Sequence, residues 1–158
     1  HHDTRPTPQY AQGFDRRSAE GKPEFAMRSQ HFTAVDDSLV VCRFTSERGF
    51  GMFVSEPYAR MVSAVTGWQM DVEELERIGE RVVNLERCFN VREGVRRKDD
   101  VLPWRVMHEP IPEGPSAGMH CPPEELERML DEYYRLRGWD ADGVPTPSTL
   151  ERLGLPVG

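Results

Sequence analysis

The stretch "DVEELERIGERVVNLERCFNVR", residues 71–92, decides how the rest of this chain is read. Asp71 is followed three residues on by Glu74, the start expected of a capped helix. Val72, Leu75, Ile78, Val82, Leu85 and Phe89 then recur at steps of three or four, which lays them along one helical stripe. Gly79 interrupts the middle, where glycine costs about 1 kcal/mol relative to alanine. A close approach of a second helix is the expected reason for it. Gly94 closes the segment.

Working outward, the same logic finds further helices and no convincing strand. Pro122 and Pro123 open one, with Glu124 and Glu125 favourable to its N-terminal dipole. Its stripe is Leu126, Met129, Leu130, Tyr133 and Tyr134, and Gly138 ends it. A last short helix runs through "TPSTLERLGL", capped by Thr146, with Pro147 at its first position and Gly154 as its stop. Upstream, a helix is expected from about Pro23, with Phe25, Phe32, Val35, Leu39 and Cys42 on one face. "ERGFGMF" (47–53) reads as a turn because of its two glycines. A short helix from Ser55 to Thr66 follows, with Pro57 in its first turn and Gly67 as its C-cap. Residues 94–121 form a long connection that includes "RRKDD" (96–100). Residues 1–20, broken by Pro6, Pro8 and Gly13, read as an extended or loop segment, the scar of a tag or the start of a fragment. Residues 21–158 form one helical domain.

Composition narrows the functions. The 158 residues are 37% hydrophobic and 30% charged with a net charge of −7, which reads as a soluble globular chain without the basic face that nucleic acid requires. No apolar run approaches the ~20 residues that span a bilayer, and no membrane role is expected. The cysteines Cys42, Cys88 and Cys121 are odd in number and far apart, so they form neither a disulfide framework nor a zinc site. A reducing, cytoplasmic setting fits them.

Taken singly, the chemistry-bearing residues favour plain readings. His31 lies near an apolar face and reads as a packing residue. His108 reads as a solvated loop residue, and the adjacent His120 and Cys121 as structural, with Cys121 at a helix N-cap. "RRKDD" reads as a solvated or interdomain salt-bridge surface. Cys42, in "DDSLVVCRF" (36–44), reads by periodicity as a buried free cysteine at the tail of a helix. The same periodicity puts Asp36, not Asp37, on the face of Phe32 and Leu39. Both carboxylates keep distinct places if the helix breaks near Asp37.

Three longer stretches carry a resemblance. "GKPEFAMRSQHFTAVDDSLVVCRF" (21–44), "NLERCFNVREGVRRKDDVLPWRVMHEPIPEGP" (84–115) and "ELERMLDEYYRLRGWDADGVPTPSTLERLGL" (125–155) resemble the C-terminal domain of the tungsten-containing aldehyde ferredoxin oxidoreductase family. The resemblance implies an all-α, irregular multi-helix domain with long connecting loops. In that family a tungsten ion is held by the dithiolenes of two pterins, beside a [4Fe–4S] cluster. Three cluster cysteines come from a C-x-x-C-x-x-x-C motif and the fourth from a D-x-x-G-L-C element. By the resemblance, Cys42 is the fourth cluster ligand, Asp37 is the carboxylate that meets the pterin's N–H groups, and Val41 lends its backbone to the same pterin. Val40-Val41 stand where the family has Gly-Leu.

The implied parent oxidises aldehydes to carboxylic acids and passes electrons through the cluster to ferredoxin. Its partners are the N-terminal and middle domains of the same protein, and oligomerisation stays open. This chain by itself is expected to hold no cofactor and to be inactive. Two alternatives remain at this point. One is the catalytic subunit of a tungsten-dependent aromatic acyl-CoA reductase, which shares the pattern. The other is a stand-alone, cofactor-free helical interaction module. The enzyme readings make one geometric demand: Cys42 should lie at the surface with its thiol free, beside exposed apolar area.

Overall fold

The computed structural model describes residues 18–156. The segment expected to be extended over 1–20 falls outside them except for its last three residues. Seven α-helices follow in order: α1 (Lys22–Ser38), α2 (Arg43–Phe50), α3 (Glu56–Thr66), α4 (Val72–Arg92), α5 (Trp104–His108), α6 (Pro123–Arg137) and α7 (Pro147–Leu153). A single 3-10 turn, Arg97–Asp99, lies between α4 and α5. Among the described residues there is no strand, only an isolated bridge between Trp139 and Pro145. The all-α expectation holds.

Helix α4 starts as its sequence dictates. The Asp71 carboxylate accepts from the Glu74 backbone N–H at 2.7 Å, satisfying one of the orphan donors of the first turn. Gly79 has the expected reason. A Cβ built there would stand 2.5 Å from the His31 carbonyl oxygen, so α1 and α4 cross backbone to backbone at this point. Helix α1 packs on both α4 and α6. The apolar core gathers Phe32 and Val35 of α1, Val54, Tyr58, Ala59 and Val62 around α3, and Leu75 of α4.

Three expectations are corrected. The stripe of α4 does not stay buried to its end: Leu85 and Phe89 are exposed. The inner face of the second half is instead occupied by Asn84 and Arg87, which are buried in a polar network. "ERGFGMF" is not simply a turn, because residues 47–50 complete α2 and the chain turns only at Gly51, whose φ is 100°. Helix α1 ends at Ser38 rather than running on to Cys42. The long connection also contains α5, where His108 stacks on Trp104 with ring centroids 4.9 Å apart. Its Nδ1 lies 2.9 Å from the Trp104 carbonyl oxygen.

Candidate functional site

The junction between α1 and α2 carries the residues singled out in the sequence. Helix α1 stops through a Schellman pattern. The Val40 N–H bonds the Asp37 carbonyl at 3.2 Å, and the Val41 N–H bonds the Asp36 carbonyl at 2.9 Å. That pattern needs a left-handed residue between them, and Val40 supplies it with φ 56°, the one non-glycine residue at positive φ among those described. A β-branched residue is a steric outlier in this region. Val40 is also 91% exposed, so no side-chain packing compensates it.

Cys42 is the N-cap of α2, and its carbonyl accepts from Thr45 and Ser46 at 2.9 and 3.1 Å. Its side chain is exposed and its thiol is free. The backbone N–H groups of Phe44 and Thr45, and then the Thr45 hydroxyl, pull the thiol below the ordinary cysteine range. This is the usual effect of a helix N-terminus on a thiolate. The periodicity reading of a buried cysteine is therefore corrected: the helix break at Ser38 swings Cys42 outward. Phe44, two residues on, is 68% exposed, which together with Val40 sets apolar surface around the thiol.

The two carboxylates both lie in the last turn of α1 and face different ways. Asp37 is exposed and Val41 is half-buried. Asp36 is fully buried; its Oδ2 accepts from the Ser46 hydroxyl and its Oδ1 from the Tyr58 hydroxyl, each at 2.6 Å. Burial raises its pKa against the opposing pull of these two donors and of Arg43. Arg43 reaches back from α2 to α1, donating to the Thr33 hydroxyl and, at 3.3 Å, to Ser29.

Away from this junction, charged side chains close on one another. Fully buried Arg137 places its Nη1 2.7 Å from His31 Nε2, and His31 Nδ1 lies 2.6 Å from Glu76 Oε2. Since arginine only donates, Nε2 must be the accepting nitrogen, which leaves Nδ1 to donate to the carboxylate. His31 is thus a satisfied packing residue, as read. Arg87 grips Asp100 through both terminal nitrogens, at 3.0 and 2.6 Å, and donates to the Gly143 carbonyl at 2.7 Å. The Tyr134 hydroxyl also donates to Asp100. Trp139 Nε1 donates to Asn84 Oδ1 at 2.8 Å.

"RRKDD" belongs to this framework. Arg97 pairs with Glu127 and Asp131 of α6, and Asp99 accepts from the Arg96 N–H. Its salt bridges are made within this domain and their carboxylates are exposed, so the run is a solvated salt-bridge surface, as read. Cys121 and Cys88 are half-buried, and burial raises both thiols. The N-cap of α6 is Pro122, one residue beyond Cys121. Among the described residues no cluster of three His, Cys, Asp or Glu side chains could by itself hold a metal ion.

The family profile described as "Aldehyde ferredoxin oxidoreductase, domains 2 & 3" matches residues 1–155. The chain belongs to the aldehyde ferredoxin oxidoreductase family. The tungsten-containing aldehyde ferredoxin oxidoreductase of Pyrococcus furiosus is 38% identical over 138 residues, covering 87% of this chain and 22% of that protein. An aliphatic sulfonate oxidoreductase, WOR-like subunit, of the same organism is 31% identical over 150 residues, covering 91% of this chain and 23% of that one. A solved structure, the active-site complex BamBC of benzoyl coenzyme A reductase with 1,5-dienoyl-CoA, is similar with a TM-score of 0.69 and 28% identity. It covers 90% of this chain and 20% of that one. The chain therefore spans about a fifth of the length of the relatives it matches. Val40 holds the left-handed conformation that a glycine would adopt freely.

Sequence reasoning missed Asp36, Arg87, Asn84 and Arg137 as organising residues. For Asp36 a signal existed, since periodicity had placed it on the inner face. For buried Arg137 the only local sign was its position in the last turn of a helix, which an exposed arginine shares.

Proposed function

We propose that this chain is the C-terminal part of a tungsten-pterin, iron–sulfur oxidoreductase, to which the α1–α2 junction contributes one thiolate and one carboxylate. The observation that carries the reading is that Cys42 and Asp37 both stand exposed on this one short connection, with the Cys42 thiol biased toward thiolate. The donor set suits the groups. A thiolate is the usual protein ligand of iron–sulfur clusters, and a carboxylate is an acceptor that matches the N–H edge of a pterin.

In this reading Cys42 ligates the cluster, Asp37 accepts from the pterin, and the Val41 backbone lies against it. When bound, the tungsten-pterin centre and the cluster supply the redox chemistry, oxidation of an aldehyde to a carboxylic acid with ferredoxin as acceptor. The protein's part is to hold these groups in place and to set the surroundings of the cluster sulfurs. A single thiolate cannot hold four irons, so the other ligands come from further domains of the parent, and this chain alone is inactive.

A second reading has a specific observation behind it. The similarity to the benzoyl coenzyme A reductase complex supports a parent that reduces an aromatic acyl-CoA. Dye-linked assays of the full-length protein with an aldehyde and with an aromatic acyl-CoA separate the two. The ligand assignment is tested by Cys42→Ala in the full-length protein, with iron analysis and EPR of the reduced state. Loss of iron and a changed cluster signal are expected. A full complement of four irons with an unaltered signal would sink the assignment.

A further inference from the structure

We propose that Asp36 is the positioning residue of the Asp37–Cys42 element, fixing α2 on α1 so that Cys42 is presented from a rigid first turn. This rests on the reading of Cys42 and Asp37 given above. The argument begins with helix length. Helix α2 has eight residues, too few to persist by itself in water. Its hydrogen-bonded anchors to α1 include the Ser46–Asp36 bond and the contacts of Arg43 with Thr33 and Ser29.

Asp36 grips the connection from two directions. Its backbone carbonyl takes the Val41 N–H at 2.9 Å, and its side chain takes the Ser46 hydroxyl at 2.6 Å. Ser46 in turn donates its own N–H to the Cys42 carbonyl at 3.1 Å. A chain of two hydrogen bonds therefore runs from a fully buried carboxylate to the backbone of the exposed cysteine. The second carboxylate oxygen accepts from Tyr58 of α3 at 2.6 Å, a bond that lies outside the Asp37–Cys42 element. A carboxylate suits the place because each of its oxygens accepts from a different hydroxyl. The exposed neighbour Asp37 is left free, and the register of the two ligand residues is set from below by the buried one.

Replacing Asp36 outright would strand two buried hydroxyls and risk losing the fold. The test therefore uses two single-hydroxyl deletions from the same carboxylate, Ser46→Ala and Tyr58→Phe, in the full-length protein. Both remove a 2.6 Å bond to Asp36, but only Ser46→Ala touches the element carrying Cys42, where it also removes the 3.1 Å contact of the Ser46 hydroxyl with the Arg43 carbonyl. Hydrogen exchange over a peptide spanning residues 42–50 should speed by roughly fivefold in Ser46→Ala, the effect of losing one net hydrogen bond, and stay near the natural rate in Tyr58→Phe. In iron-loaded protein, Ser46→Ala should keep its iron while the EPR signal of the reduced cluster shifts. Unchanged exchange in Ser46→Ala, or an equal increase in Tyr58→Phe, would overturn the positioning role. The exchange arm does not depend on a bound cluster. If Cys42→Ala retains all its iron while this arm behaves as stated, the ligand reading fails and the positioning of α2 by Asp36 stands.

Discussion

The α1–α2 junction and the Arg87–Asp100 framework both place carboxylates beside arginines, yet they use them in opposite ways. In the framework every strong group is consumed: Asp100 takes both Arg87 nitrogens and the Tyr134 hydroxyl, and Arg87 also satisfies the Gly143 carbonyl. At the junction, one carboxylate is buried to hold the backbone while its neighbour and the cysteine are left exposed. Asp37 and Cys42 both stay out of internal pairs, Asp37 by its place on the exposed side of α1 and Cys42 by the break of that helix at Ser38.

The largest test of that contrast is Arg87→Ala. It leaves Asp100 and the Gly143 carbonyl without their main donor, and breaking such a mostly buried pair should cost about 3 kcal/mol. Chemical denaturation of the variant reads this directly. A loss below about 1 kcal/mol would show that the framework pair is no more than a surface ion pair.

Acid should act on the two regions with opposite sign. Burial raises Asp100, but the Arg87 and Tyr134 hydrogen bonds outweigh it and hold Asp100 below the usual carboxylate range. Its contribution is therefore complete above its unfolded value of about 3.9 and is lost as pH falls through the lower folded value. Asp36 is raised by burial, so it costs stability when ionised, and that cost fades as pH falls toward about 3.9. In denaturant midpoints measured from neutral pH down to about 3, Asp100→Asn should flatten the acid loss relative to the natural chain. Asp36→Asn should leave it at least as steep. The reverse order would break the contrast.

The smallest effect concerns Val40. Glycine at this left-handed position relieves a strain of about 1–2 kcal/mol. It loses part of that to the greater freedom of the unfolded chain, about 0.5–1 kcal/mol. Val40→Gly should therefore raise stability by roughly 0.5 kcal/mol, with no packing lost because the side chain is 91% exposed. A decrease would mean that the valine makes a stabilising contribution unrelated to its exposure.

The helices with complete local signals were legible in the sequence. The Asp71–Glu74 start of α4, the prolines of α3, α6 and α7, and the glycine ends at 67, 138 and 154 all lie where the residues place them. Gly79 also gave a correct tertiary inference, because a glycine inside so strong a helix needs a reason and the His31 backbone supplies it. Helix α2 was not legible, since "RFTSERGF" is too short and too polar to be helical without α1 beneath it. Leu85 and Phe89 misled because periodicity identifies a face, not what lies against it.

By itself the sequence determined the helical class, most element boundaries and, through its long quoted stretches, the family. Those features depend on neighbours within one or two turns or on extended residue order. Only the tertiary structure decided which of Asp36 and Asp37 faces inward, that Cys42 stands outside, and that Arg87 and Arg137 are buried. The burial of Asp36, Arg87 and Arg137 depends in each case on a partner distant in sequence: Tyr58 for Asp36, Gly143 for Arg87, His31 for Arg137. A charged side chain is buried or exposed according to whether such partners are waiting for it, and that is a property of the packed chain rather than of the local string of residues.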